Sequence, residues 1–148
     1  MKLGFIGTGE ITKSVVIGLL GSKQKFKKIY LSKRNKKISK QLKNLSSKII
    51  VLNDNQDIIN KSNWIFLSIT PEVGKKIIKK LKFKKKQVII SFISTIKLKE
   101  LKGYIKSKNI IIRAIPLPPI ALGVGPVPIF PPNKKVKIFF NKIGETIE

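Results

Sequence analysis

Gly7-Thr8-Gly9 carries the clearest chemistry in this chain, because it lies between an apolar run and an amphipathic one. Residues 2–6 read as a short buried strand, and a helix-period pattern opens at Glu10 and Ile11. A strand, a glycine turn and a helix in that order suit a phosphate group. Gly7 permits the tight turn, and the absent side chain at Gly9 lets a pyrophosphate reach the backbone. The first N–H groups and positive dipole end of the helix then receive the charge. Gly7, Thr8, Gly9, Glu10 and Ile11 are the expected pyrophosphate-binding set. The third fingerprint position holds Thr12 rather than Gly or Ala, a residue still small enough for helix-on-strand packing. A second strand near 28–32 follows where a βαβ unit needs one, and that context raises the motif above a merely structural glycine turn.

The end of the second strand bears on the cofactor. Sites for NAD or S-adenosylmethionine place an acidic residue there to hold the ribose hydroxyls. This chain instead reads Leu31-Ser32-Lys33-Arg34-Asn35. Ser32 can donate to a 2′-phosphate and Arg34 can grip it with a charge-assisted fork, so Ser32, Lys33 and Arg34 favour NADP(H). The competing reading is an ordinary basic turn. Two more junctions fall at strand C-termini, the ligand edge of an open parallel sheet: Ser68-Ile69-Thr70-Pro71 and Ser91-Phe92-Ile93-Ser94-Thr95. Ser68, Ile69, Pro71 and Ser94 are expected to face a ribose or nicotinamide there. Plain Ser/Thr helix caps are the alternative at both junctions.

Composition removes whole classes of chemistry. The chain has no Cys and no His, so thiolate nucleophiles, Ser-His-Asp triads and the commonest metal ligands are out, and no metal site is expected. A net charge of +25 raises the question of nucleic acid, but only two of the 32 basic residues are Arg. Base readout favours Arg, and no aromatic residues interleave with the charge as stacking platforms, so no nucleic-acid partner is expected. No signal peptide is expected either, since no small-residue cleavage site follows the first apolar stretch. The uncharged run 115–132 holds seven prolines and two glycines. It reads as a rigid extended loop, not a membrane span. The expectation is a cytoplasmic protein without a membrane partner.

Apolar runs alternate with amphipathic segments at β-α spacing. Strands are predicted near 2–6, 28–32, 48–52, 63–68, 87–91 and 109–114, with a less regular one near 127–130 and another from 146. Helices are predicted near 10–21, 36–45, 55–61, 72–81, 97–106 and 133–142. The runs Trp64-Ile65-Phe66-Leu67, Val88-Ile89-Ile90 and Ile110-Ile111-Ile112 are apolar on both faces, as a helix-covered parallel sheet requires. The expected fold is α/β: one Rossmann-type, doubly wound, mainly parallel sheet forming a single dinucleotide-binding domain over 1–148.

These residues together resemble the cofactor domain of the pyrroline-5-carboxylate reductases, through almost the whole chain. Gly4-Phe5-Ile6-Gly7-Thr8-Gly9 is similar to the family's opening, and Asp54-Asn55 to its Asp-Asn pair. The resemblance implies that Asn55 contacts the adenosine ribose. Leu67-Ser68-Ile69-Thr70-Pro71 resembles the strand-four motif, with Thr70 where the family has Lys. Ile90 to Thr95 stands at the family's small Ala-Ala-Gly turn, with bulkier Ser94 and Thr95. Arg113, Pro116 and Pro119 match the Arg-x-Met-Pro-Asn-Thr-Pro signature, while Leu117 and Pro118 replace its polar pair. The resemblance implies NADPH-dependent reduction of a cyclic imine, with a small-molecule imine substrate and no catalytic residue identifiable here. It also implies that the family's C-terminal helical dimerisation domain is absent, so an oligomer is expected only if that domain is supplied. Alternatives are a non-catalytic NADP-binding module, a hydroxyacid dehydrogenase-type cofactor domain and a basic nucleic-acid binder.

Overall fold

A computed structural model describes all of Met1–Glu148. Six parallel strands, β1 (Lys2–Ile6), β2 (Lys28–Ser32), β3 (Ile49–Leu52), β4 (Trp64–Leu67), β5 (Val88–Ser91) and β6 (Ile110–Ala114), form the body of one sheet. Two more, β7 (Pro126–Phe130) and β8 (Glu145–Ile147), extend it, and the order across the sheet is β3-β2-β1-β4-β5-β6-β7-β8. Strand β7 runs antiparallel to β6. The helices are α1 (Glu10–Leu20), α2 (Lys36–Lys43), α3 (Asn55–Lys61), α4 (Pro71–Ile77), α5 (Leu98–Tyr104) and α6 (Lys134–Phe140). The order reverses between β1 and β4, and at such a switch point the strand C-termini open a crevice.

Because side chains alternate along a strand, a strand apolar at every position must be covered on both faces. Two separate apolar clusters do this. Phe5, Phe66, Ile90 and Ile112 point toward α1, α2 and α6 in the larger cluster; Ile6, Ile65, Leu67 and Ile89 point toward α3 and α5 in the smaller. An aromatic group anchors the first face: the Phe5 and Phe66 rings stack with centroids 4.5 Å apart, and Phe139 of α6 lies 4.9 Å from Trp64. The parallel α/β domain expected from the sequence is what forms.

Two segments differ from expectation. The helix predicted over 72–81 is α up to Ile77 and then tightens to a 3-10 turn at Ile78–Lys80, which buries Ile78. The 115–132 run is not one extended loop. Pro118–Leu122 forms a 3-10 turn that sends Ile120 into the core, while the strand expected near 127–130 is present as β7, Pro126–Phe130. Alternation explains the strand: Val127 and Ile129 face inward, while Pro126 and Pro128 face solvent. The Ile120 carbonyl lies so close to α1 that any side chain at Gly18 would collide with it. Helix α1 and the proline segment are thereby packed as one unit beside the crevice.

Candidate functional site

Strand β1 ends in a turn that only glycine can make. Gly7 has φ +97°, and a Cβ there would run into the Ser68 carbonyl beyond β4. Gly9 differs. Its φ of −96° suits any residue, and a Cβ built there meets no atom within 4 Å. Nothing in the fold asks for glycine at 9, and the backbone there is open to an approaching group. Gly9 is also the N-cap of α1, an 11-residue helix with no side-chain cap, so the first N–H groups of α1 stay available to an acceptor.

The turn is held by two hydroxyls on either side. The Gly7 N–H donates to Ser32 Oγ at 3.0 Å, and Thr8 Oγ1 donates to the Ser32 carbonyl at 2.7 Å. With the Thr8 proton so engaged, the 2.9 Å contact between the two hydroxyls leaves Ser32 Oγ as its donor. Ser32 is buried, and its only proton is committed. Ser32 thereby ties the end of β2 to the glycine turn while also bordering the space beside Arg34. Thr12 is likewise more than a tolerated replacement for glycine. Fully buried, it donates through Oγ1 to the Gly7 carbonyl at 2.9 Å, a bond neither Gly nor Ala could make.

A hollow of about 590 Å³ opens over this turn, between the C-terminal ends of β1, β2 and β4. Gly7, Thr8, Gly9, Arg34, Ser68 and Ile69 line it as expected, and Asn35, Lys36 and Thr70 join them. A neighbouring hollow of about 320 Å³ brings together Ser32, Lys33, Arg34 and Asn55 with Lys36 and Asn53. Arg34 and Lys36 border both hollows, and neither is lined by Asp or Glu. The field where the two meet is therefore positive. Asn35, Lys36, Asn53 and Thr70 were missed by sequence reasoning. The available signal was Asn35 as an N-cap: its side chain accepts from the Ile38 N–H at 3.2 Å, which starts α2 at Lys36 and holds that lysine at the mouth.

Glu10, Ile11, Pro71 and Ser94 do not line either hollow. Glu10 and Ile11 open α1, and Pro71 takes the first position of α4, where its missing N–H costs nothing. Ser94 is exposed in the loop after β5. The alternative reading as helix caps holds at one junction only: Thr70 is the N-cap of α4, without a side-chain bond, whereas α5 is capped at Lys97. Arg113, at the end of β6, donates through one terminal guanidinium nitrogen to the Ile96 carbonyl at 2.6 Å, pinning the loop that carries Ser94.

A family model described as NADP oxidoreductase, coenzyme F420-dependent, matches residues 2–95. A pyrroline-5-carboxylate reductase of Pisum sativum is 32% identical over 124 residues, which is 82% of this chain and 44% of that protein. Two solved structures superpose on the chain. Pyrroline-5-carboxylate reductase of Streptococcus pyogenes does so with TM-score 0.82 and 24% identity, covering 100% of this chain and 57% of its own. Pyrroline carboxylate reductase of Plasmodium falciparum, solved with NADP bound, has TM-score 0.84 and 19% identity at the same coverages. The chain thus spans about half the length of the proteins it is similar to.

Proposed function

The chain belongs to the family described as NADP oxidoreductase, coenzyme F420-dependent, and from that premise we propose that it is the NADPH-holding half of a cyclic-imine reductase, acting on pyrroline-5-carboxylate. The observation that carries the cofactor assignment is the pairing of an open Gly9 with an acid-free, doubly basic β2 end. Gly7, Thr8 and Gly9 with the start of α1 would receive the pyrophosphate; Arg34, with Lys33 and Lys36, would hold the 2′-phosphate. Asn55 would meet the adenosine ribose, and Ser68 and Ile69 would flank the cofactor beyond β4.

When bound, the nicotinamide supplies the hydride that reduces the imine carbon. The contribution of this chain is positioning. The Ser32–Thr8 link fixes the turn before any ligand arrives, and Arg113 fixes the 92–97 loop at the far side of the crevice. No carboxyl group lines either hollow, and we assign no proton donor among these residues. The large hollow is open, with Ile69 its only hydrophobic lining residue, whereas an imine must be enclosed and held against the ring. We therefore place the opposing substrate wall in a helical unit outside these 148 residues. The test is NADPH oxidation by the purified chain with pyrroline-5-carboxylate, run beside a direct NADPH titration. Binding with very slow or no turnover is expected. Robust turnover by the chain alone would contradict the missing wall, and absence of NADPH binding would contradict the whole assignment.

A further inference from the structure

The parallel topology of β1–β6 sends each helix-to-strand loop between them to the edge opposite the cofactor crevice. The segments 21–27, 44–48, 62–63, 81–87 and 105–109 all lie there, and together they hold ten lysines and no Asp or Glu. The acids are elsewhere. Glu10, Asp54, Asp57, Glu72 and Glu100 sit at helix N-termini on the crevice side, and Glu145 and Glu148 belong to the β8 end. The sole ion pair, Lys137 with Glu148, is also away from this edge. Helix dipoles account for lysines in last turns, such as Lys61, Lys79 and Lys102. They do not account for Lys82, Lys86, Lys106 or Lys108, which lie in loops.

We propose that this edge docks the phosphodiester backbone of nucleic acid, without sequence preference. The surface is concave. Three hollows of about 300, 430 and 390 Å³ follow one another along it, and Lys106 and Ser107 line two of them. Their walls are tied together: Asn109 Nδ2 donates to the carbonyls of Lys84 and Gln87, and Gln87 Nε2 donates to those of Ile59 and Ser62. Six strands at about 4.8 Å spacing make an edge of about 24 Å, the axial length of about seven base pairs of duplex. Both arginines lie on the crevice side of the sheet, so the scarcity of Arg noted in the sequence argues against base readout only. A lipid surface fits less well. Lysine is the commonest lining residue of the hollows, Leu81, Phe83 and Tyr104 are confined to one of them, and the exposed Met1, Leu45 and Ile110 lie on separate segments.

The test is fluorescence anisotropy of a labelled mixed-sequence DNA duplex against the parent and two variants of equal net charge. One carries Lys82→Glu, Lys86→Glu, Lys106→Glu and Lys108→Glu; the other carries Lys37→Glu, Lys75→Glu, Lys97→Glu and Lys99→Glu. All eight residues are exposed, and circular dichroism confirms that each variant is folded. The expected result is steeply salt-dependent parental binding, weakened by about 100-fold or more in the first variant and by less than about 5-fold in the second. Saturating NADPH should leave parental affinity within about twofold, because it binds the opposite edge. A Lys→Gln set at the first four positions repeats the test should charge reversal unfold the chain. Equal weakening in both variants would reduce the effect to bulk charge and overturn the proposal. So would absent duplex binding, or preference for phosphatidylserine vesicles at matched phosphate concentration.

Discussion

Two glycines only two residues apart should respond oppositely to a side chain. At Gly7, φ of +97° costs an L-residue about 1–2 kcal/mol, and the collision of its Cβ with the Ser68 carbonyl adds about 1–3 kcal/mol of overpacking. Gly7→Ala should thus lose about 2–5 kcal/mol, a fall in Tm of about 4–20 °C for a chain this size. At Gly9 the backbone is extended and no atom lies within 4 Å of a Cβ. The only structural cost of Gly9→Val is a poorer N-cap, about 0.5–1 kcal/mol and about 2–4 °C. Yet that side chain fills the space through which a pyrophosphate reaches the start of α1, so NADPH binding should fall below detection. Thermal melts by circular dichroism and NADPH calorimetry on both variants separate the two roles. Retained binding in Gly9→Val would make the turn purely structural. An unchanged melt for Gly7→Ala would refute the close approach of β1 and β4.

Arg34→Ala removes the fork at the junction of the two hollows and should weaken NADPH by about 1.5–3 kcal/mol while leaving NADH nearly unchanged, as paired fluorescence titrations would show. Ser32→Ala should behave differently: it strips the Gly7 N–H of its acceptor, so stability falls by about 1–3 kcal/mol and both cofactors weaken alike, read by the same titrations with a melt. Phe139→Ala opens the aromatic group between α6 and the sheet and should cost about 3–5 kcal/mol in urea unfolding, with NADPH affinity of the remaining folded protein unchanged.

Strands β1 to β6 are legible in the sequence because being buried on both faces demands unbroken apolar runs, and Trp64–Leu67 or Val88–Ile90 admit little else. The proline segment is not legible in the same way. Pro118 and Pro119 announce rigidity, but whether Ile120 turns inward depends on the space above Gly18 of α1, a distant partner. At the site, Gly7, Gly9 and Arg34 are readable from local chemistry, since a turn and a charge need only their own residue types. Ser32 is not. Its hydroxyl could face ligand or protein from sequence alone, and the 25-residue separation from Gly7 hides the bond that decides it. Asn35 and Lys36 are half-visible as a cap and helix start, while the bond from Arg113 that holds the loop of Ser94 spans 17 residues and leaves no local signal.

The central claim is that the acid-free end of β2 selects a 2′-phosphorylated dinucleotide at the glycine turn. Calorimetric titration of the purified chain with NADPH and NADH in one buffer tests it most directly. One site per chain and at least about tenfold tighter binding of NADPH are predicted, the minimum worth of one charge-assisted phosphate contact. Equal affinities, or tighter NADH, would contradict it.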